Sequence, residues 1–100
     1  MRPVSVKITR DQLGDKHKMI AIFYDENGKK IRTIRFGSAL HSDMTKHKDQ
    51  TRMELYLKRH MKRENWNNPL TAGSLSRYVL WSAPTLSQGI NNFKNKFNLK

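Results

Sequence analysis

The dipeptide Asn27-Gly28 lies between two β-prone runs, Met19 to Tyr24 and Ile31 to Phe36, and constrains the fold of this chain more than any other feature. An Asn-Gly pair accepts the positive φ angles that a two-residue type I′ turn demands, so the two runs are expected to pair as an antiparallel hairpin. With Asn27 and Gly28 as the loop, Glu26 faces Lys29, and counting outward sets Phe23 opposite Arg32, Ala21 opposite Ile34 and Met19 opposite Phe36. Side chains alternate across a strand, so Met19, Ala21, Phe23, Ile34 and Phe36 share one face, which is the expected core face. The other face, with Ile20, Ile22, Tyr24, Ile31, Thr33 and Arg35, is too apolar to be left wholly in water and calls for a second element or a partner. Val4, Val6 and Ile8 alternate with Ser5, Lys7 and Thr9, which adds a third strand and makes residues 1–36 the strand region.

After a loop from Gly37 to Asp43 the apolar period lengthens to three and four. Met53, Tyr56, Leu57, His60 and Met61 then share one stripe of a helix expected over residues 46–64, capped by Thr45 or Ser42. Its remaining faces carry Lys46, Lys48, Arg52, Lys58, Arg59, Lys62 and Arg63 against Asp49 and Glu54, so one side is strongly cationic. Asn65 to Pro69 breaks this helix. A second helix is expected over 71–81 with Leu75, Tyr78 and Val79 inward, and a third over 86–97 with Leu86, Ile90, Phe93 and Phe97 inward. Thr85 and Gln88 fit a capping box at the start of the third. Strands first and helices afterwards make the expected class α+β: a small antiparallel sheet, the N-terminal strand plus the Asn-Gly hairpin, covered by two or three C-terminal helices in a single compact basic domain, 1–100.

The chain has 100 residues, twenty Lys plus Arg against eight Asp plus Glu, and no cysteine. Disulfide frameworks and cysteine zinc sites are excluded. A chain this short has little room for a deep substrate cavity, so no small-molecule substrate is expected. Its longest uninterrupted apolar run, the six residues Met19 to Tyr24, is far short of the roughly 20 that cross a bilayer, so no membrane span is expected. The N-terminal residues alternate like a strand and lack the apolar core of a secretory signal; with no cysteine, an intracellular origin is the default.

His17, His41, His47 and His60 are the only imidazoles, and their spacing matches no compact metal-ligand pair. No nucleophile elbow and no Gly-rich phosphate loop is present, so no catalytic residue, metal or cofactor is expected and the chain reads as non-enzymatic. His47 with Asp49 and His60 is the one arrangement that offers a general base and its orienter; histidines that cap or hydrogen-bond among lysines are the plainer account.

Charge is spread over the fold rather than held in a tail: residues 1–37, 38–65 and 66–100 carry nets of +5, +3 and +4 within a total of +12. The run Lys58-Arg59-His60-Met61-Lys62-Arg63, with Lys48, Arg52 and Arg77, is the candidate surface for a polyanion or an acidic partner, and Trp66 is the candidate aromatic contact. Trp81, at the end of an apolar stripe, is expected in the core. No helix-turn-helix, zinc finger or aromatic RNA-binding signature is visible, so any nucleic-acid binding is expected to ignore base sequence.

From the hairpin onward the chain carries an ordered set of short segments: Ile34-Arg35-Phe36-Gly37, Ser42-Asp43 with Thr45, His47-Lys48-Asp49, Arg52, Tyr56 with Arg59-His60, Glu64-Asn65-Trp66, Pro69 to Gly73, Leu75 to Tyr78, Leu80-Trp81 and Pro84 to Leu86. In these it resembles a family of short basic proteins encoded by nucleocytoplasmic large DNA viruses of algae and protists, over roughly residues 18–99. It departs from that pattern at Met44, where an aromatic residue is expected. The resemblance implies a viral protein and supplies no catalytic residues. It suggests a virion component, a minor capsid or internal structural protein, found in the virion and in host cytoplasm or nucleus during assembly. Its implied partners are other virion proteins or the phosphate backbone of DNA or RNA.

Overall fold

A computed structural model of the protein describes residues 3–11, 16–38, 48–62 and 65–100. Three antiparallel strands come first, β1 (Ser5–Arg10), β2 (His17–Tyr24) and β3 (Lys30–Ser38), in the spatial order β1-β2-β3. Helix α1 (Gln50–His60) follows, then α2 (Ala72–Leu75), which runs directly into one π-helical turn (Ser76–Leu80), and finally α3 (Leu86–Phe97). The class is α+β, a small antiparallel sheet followed by helices, as the order of patterns implied.

The hairpin register is the expected one, with Phe23 opposite Arg32, Ala21 opposite Ile34 and Met19 opposite Phe36, but the turn is not. Asp25 N donates to Lys29 O and Gly28 N donates to Asp25 O, at 2.9 and 3.0 Å, so Glu26, Asn27 and Gly28 form a three-residue loop. The cause is Asp25, whose buried carboxylate accepts from the amides of both Asn27 and Lys29 at 2.9 Å and so sets a wider Asx-type turn. Gly28 takes the left-handed position at φ 79°. The longer loop shifts pairing to Tyr24 opposite Lys30, and a bulge between Phe23 and Tyr24 shifts it back. The extra residue is Ile31, which packs against the core instead of standing on the outer face as expected.

Met19, Ala21 and Phe23 of β2, with Val6 and Phe36 beside them, meet Leu75, Val79, Leu80, Phe93 and Leu99 from the C-terminal half. The Phe23 and Phe93 rings meet edge-on with centroids 6.2 Å apart, which ties the sheet to α3. Close approach of α3 to the π turn depends on Gly89, since a Cβ there would stand 2.0 Å from the Val79 carbonyl oxygen. At the end of α3, Asn98 turns left-handed at φ 55° and Leu99 N donates to Lys94 O at 2.8 Å. That turn brings Lys100 alongside β1, where its N donates to Val4 O and its O accepts from Val6 N, at 3.1 and 3.3 Å. The outer edge of β1 is thereby covered at this point. Ile20, Ile22 and Tyr24 face away from the core and stay half-buried, and Arg35 Nε reaches the Asp11 carboxylate at 3.0 Å.

Two helix ends differ from expectation. The first helix spans residues 50–60 rather than 46–64, and its N-cap is Asp49, whose Oδ1 accepts from Thr51 N and Arg52 N at 3.0 and 3.3 Å. Thr45 and Ser42, the expected caps, lie outside the described residues, as do His41, His47 and Arg63. Met61, expected on the inward stripe, is the C-cap of the helix and is 61% exposed. At α3, Thr85 Oγ1 accepts from Gln88 N as expected, but Gln88 Oε1 accepts the Thr85 hydroxyl at 3.1 Å rather than the Thr85 amide.

Candidate functional site

Helix α1 has no fully buried residue, and Met53, Tyr56, Leu57 and His60, the expected inward stripe, are its half-buried ones. Three of the rings at its junction with the body form a column. Tyr56 lies parallel to Trp81 with centroids 4.2 Å apart and 1° between planes, and His60, one turn on, stacks on Tyr56 at 4.2 Å and 26°. Trp81 reaches this position because the turn before it is π-helical and closes with Trp81 N donating to Ser76 O, five residues back, at 3.2 Å. A turn with one extra residue points the next side chain differently from a continued α-helix, and such turns recur at functional sites. Trp81 is therefore half-buried at the edge of the core, not within it as expected.

Between α1 and the body lies a cleft of about 740 Å³. One wall is α1, which presents Arg52, Leu55, Tyr56, Arg59 and His60. These residues recur at spacings of three and four and so share a face. Lys18, Gly37 and Ser38 from the sheet form the opposite wall, and the start of α2 with Leu80 and Trp81 forms the floor. Sheet and floor meet closely at Gly37, whose φ is 78° and whose missing Cβ would lie 2.6 Å from Leu80 Cδ1.

Lys18, Arg52, Arg59 and the His60 imidazole border this cleft, and among the described residues no carboxylate does. The described acids are engaged elsewhere or stand away from it. Asp11 pairs with Arg35, Asp25 holds the hairpin turn, Asp49 caps α1, and Glu26 and Glu54 are exposed outside the lining.

Of the residues expected to contact a polyanion, Arg52 and Arg59 are brought together in the cleft, and His60 joins them through the ring column. Lys48, Lys58 and Lys62 are exposed and lie outside its lining. Arg77 and Trp66 are not two surface contacts for a ligand but partners of each other. The Arg77 guanidinium carbon lies 5.3 Å from the Trp66 ring centre and 4.8 Å from that of Tyr78, and Arg77 Nε is buried without a hydrogen bond. The guanidinium keeps its charge but is held over two rings instead of standing free at the surface. Lys18 and Leu55 were not singled out beforehand. Lys18 is distant in sequence from α1, and Leu55 is a lone apolar residue off the inward stripe, so neither carries a local signal.

Among the described residues no three His, Asp or Glu side chains stand close enough to hold a metal ion, and no helix is long and apolar enough to cross a membrane. No curated protein and no solved structure matches the chain. A family model does match, over residues 9–60, which takes in the end of β1, the hairpin and the whole of α1, and with them Lys18, Arg52, Tyr56, Arg59 and His60. More than half of the sequence is thereby accounted for, and the chain belongs to the family of unknown function DUF5754.

Proposed function

We propose that this protein is a non-enzymatic basic interaction protein that holds the phosphate backbone of nucleic acid in the cleft beside α1, without reading base sequence. The observation that carries this is the lining, in which Arg52 and Arg59 gather beside Lys18 and His60 and, among the described residues, no carboxylate takes part. Cations held near one another repel, and a polyanion relieves that repulsion while releasing its own counterions. Lys48, Lys58 and Lys62, exposed nearby in the chain, extend the positive field. The resemblance to proteins of large DNA viruses supports a virion setting, in which a genome is the polyanion at hand.

The test is a titration of labelled DNA with the full chain at several salt concentrations. Neutralising three phosphates predicts an affinity that falls roughly forty-fold between about 50 and 200 mM salt, and adding the exposed lysines raises this to on the order of 10³. The double change Arg52→Ala, Arg59→Ala is expected to lower the slope of log K against log salt by about two. Binding indifferent to salt, or a slope unmoved by the double change, would overturn the proposal.

A second reading, a minor capsid or internal structural protein that binds neighbouring virion proteins, is favoured by the outer sheet face, where Ile20, Ile22 and Tyr24 are half-buried and Val4 is 36% exposed. A purified chain that stays monomeric and is absent from washed particles by mass spectrometry would dispose of it.

A further inference from the structure

We infer that the cleft takes an unpaired nucleic-acid strand in preference to a duplex, with phosphates on Arg52 and Arg59 and a base against Leu55. This rests on the phosphate-binding reading of the same cleft and adds which form of nucleic acid enters it. Arg52, Leu55 and Arg59 follow one another at spacings of three and four, so an apolar side chain sits between two cations on one helix face. Leu55 is 47% exposed there, beside a floor that includes Ala72, Gly73 and Leu80. An unpaired strand alternates charged phosphate with a base face that gains by leaving water, which is the same alternation.

A duplex offers something different. It keeps its bases stacked inside and turns its phosphates outward, so it would engage the arginines and leave Leu55 in water. It is also a rigid rod whose major groove alone is about 12 Å wide. A cleft of about 740 Å³ is of the size that takes a small ligand, hence a nucleotide or two of a flexible strand. Tyr56 is already covered on its two faces by His60 and Trp81, so contact with the base falls to the aliphatic side chains.

The experiment is fluorescence anisotropy of the full chain with an oligothymidine of about 12 nucleotides and a blunt duplex of equal length, at one fixed salt concentration. The single strand is expected to bind roughly tenfold more tightly than the duplex, and Leu55→Ser to remove most of that difference while leaving duplex affinity unchanged. Leu55 is exposed and outside the core, so this variant is expected to fold; its circular dichroism and melting curve verify that, and Lys58→Ser, expected to weaken both probes alike through lost charge, controls for a change elsewhere on α1. Equal affinity for the two probes, or equal weakening of both by Leu55→Ser, overturns this inference and leaves phosphate binding standing. Failure of both probes to bind overturns the two together.

Discussion

The ring of Tyr56 lies flat on the indole of Trp81, 4.2 Å away and 1° from parallel, and this contact helps to join a helix with no fully buried residue to the rest of the fold. The same contact holds one wall of the cationic cleft against its floor. Stability of α1 and geometry of the cleft therefore share one cause.

Tyr56→Ala is expected to cost about 0.5–1.5 kcal/mol from the lost ring pair, in addition to the area it uncovers. The loss is local, because the Phe23–Phe93 contact that ties the sheet to α3 does not involve α1. Hydrogen exchange is the measurement that separates the two. Amides of residues 50–60 should exchange faster while those of β2 and α3 keep their protection; unchanged exchange of residues 50–60, or loss of protection throughout, would show that the stack is not what holds α1.

Gly89→Ala should cost more than Gly28→Ala. At Gly89 a Cβ would meet backbone, the Val79 carbonyl oxygen at 2.0 Å, and α3 would have to move off the π turn. Such overpacking costs about 1–3 kcal/mol and at times more. Gly28 has open space around it and only its φ of 79° to satisfy, which costs about 1–2 kcal/mol for a residue with a Cβ. Urea unfolding of both variants would show the order, and a larger loss for Gly28→Ala would refute the packing argument.

Arg77→Ala is expected to lower stability without altering salt-dependent DNA binding. Its guanidinium lies over Trp66 and Tyr78, and a partly desolvated contact of this kind is worth about 1–2 kcal/mol. Thermal melting and a DNA titration on the same sample decide it. An unchanged melting temperature with weakened binding would return Arg77 to the surface role that its place in the sequence suggested.

Local chemistry explains how far the fold can be read from sequence. Alternation in β1 and the hairpin placed the strands, and counting from Asn27-Gly28 set a correct register for a wrong turn, because the Asp25-centred loop and the bulge at Ile31 cancel each other. The spacing of Leu86, Ile90, Phe93 and Phe97 marked α3 to its bounds. The π turn was invisible: Ser76 to Leu80 has the composition of an ordinary helix, and the wider turn answers to packing against Gly89 and Leu80's place beside Gly37.

The cationic surface divides in the same way. Sequence by itself determined an excess of positive charge over the whole chain, a cationic helix, and the absence of cysteine chemistry, since these follow from composition and period alone. Which cations act together was decided only by tertiary structure. Arg77 turned inward onto two rings, Lys58 and Lys62 stayed outside, and Lys18 crossed from the sheet to face Arg52 and Arg59. The physical reason is that charge counts add along the chain, whereas a site needs convergence in space. Here that convergence depends on where a π turn aims Trp81 and on the Tyr56 ring that settles upon it.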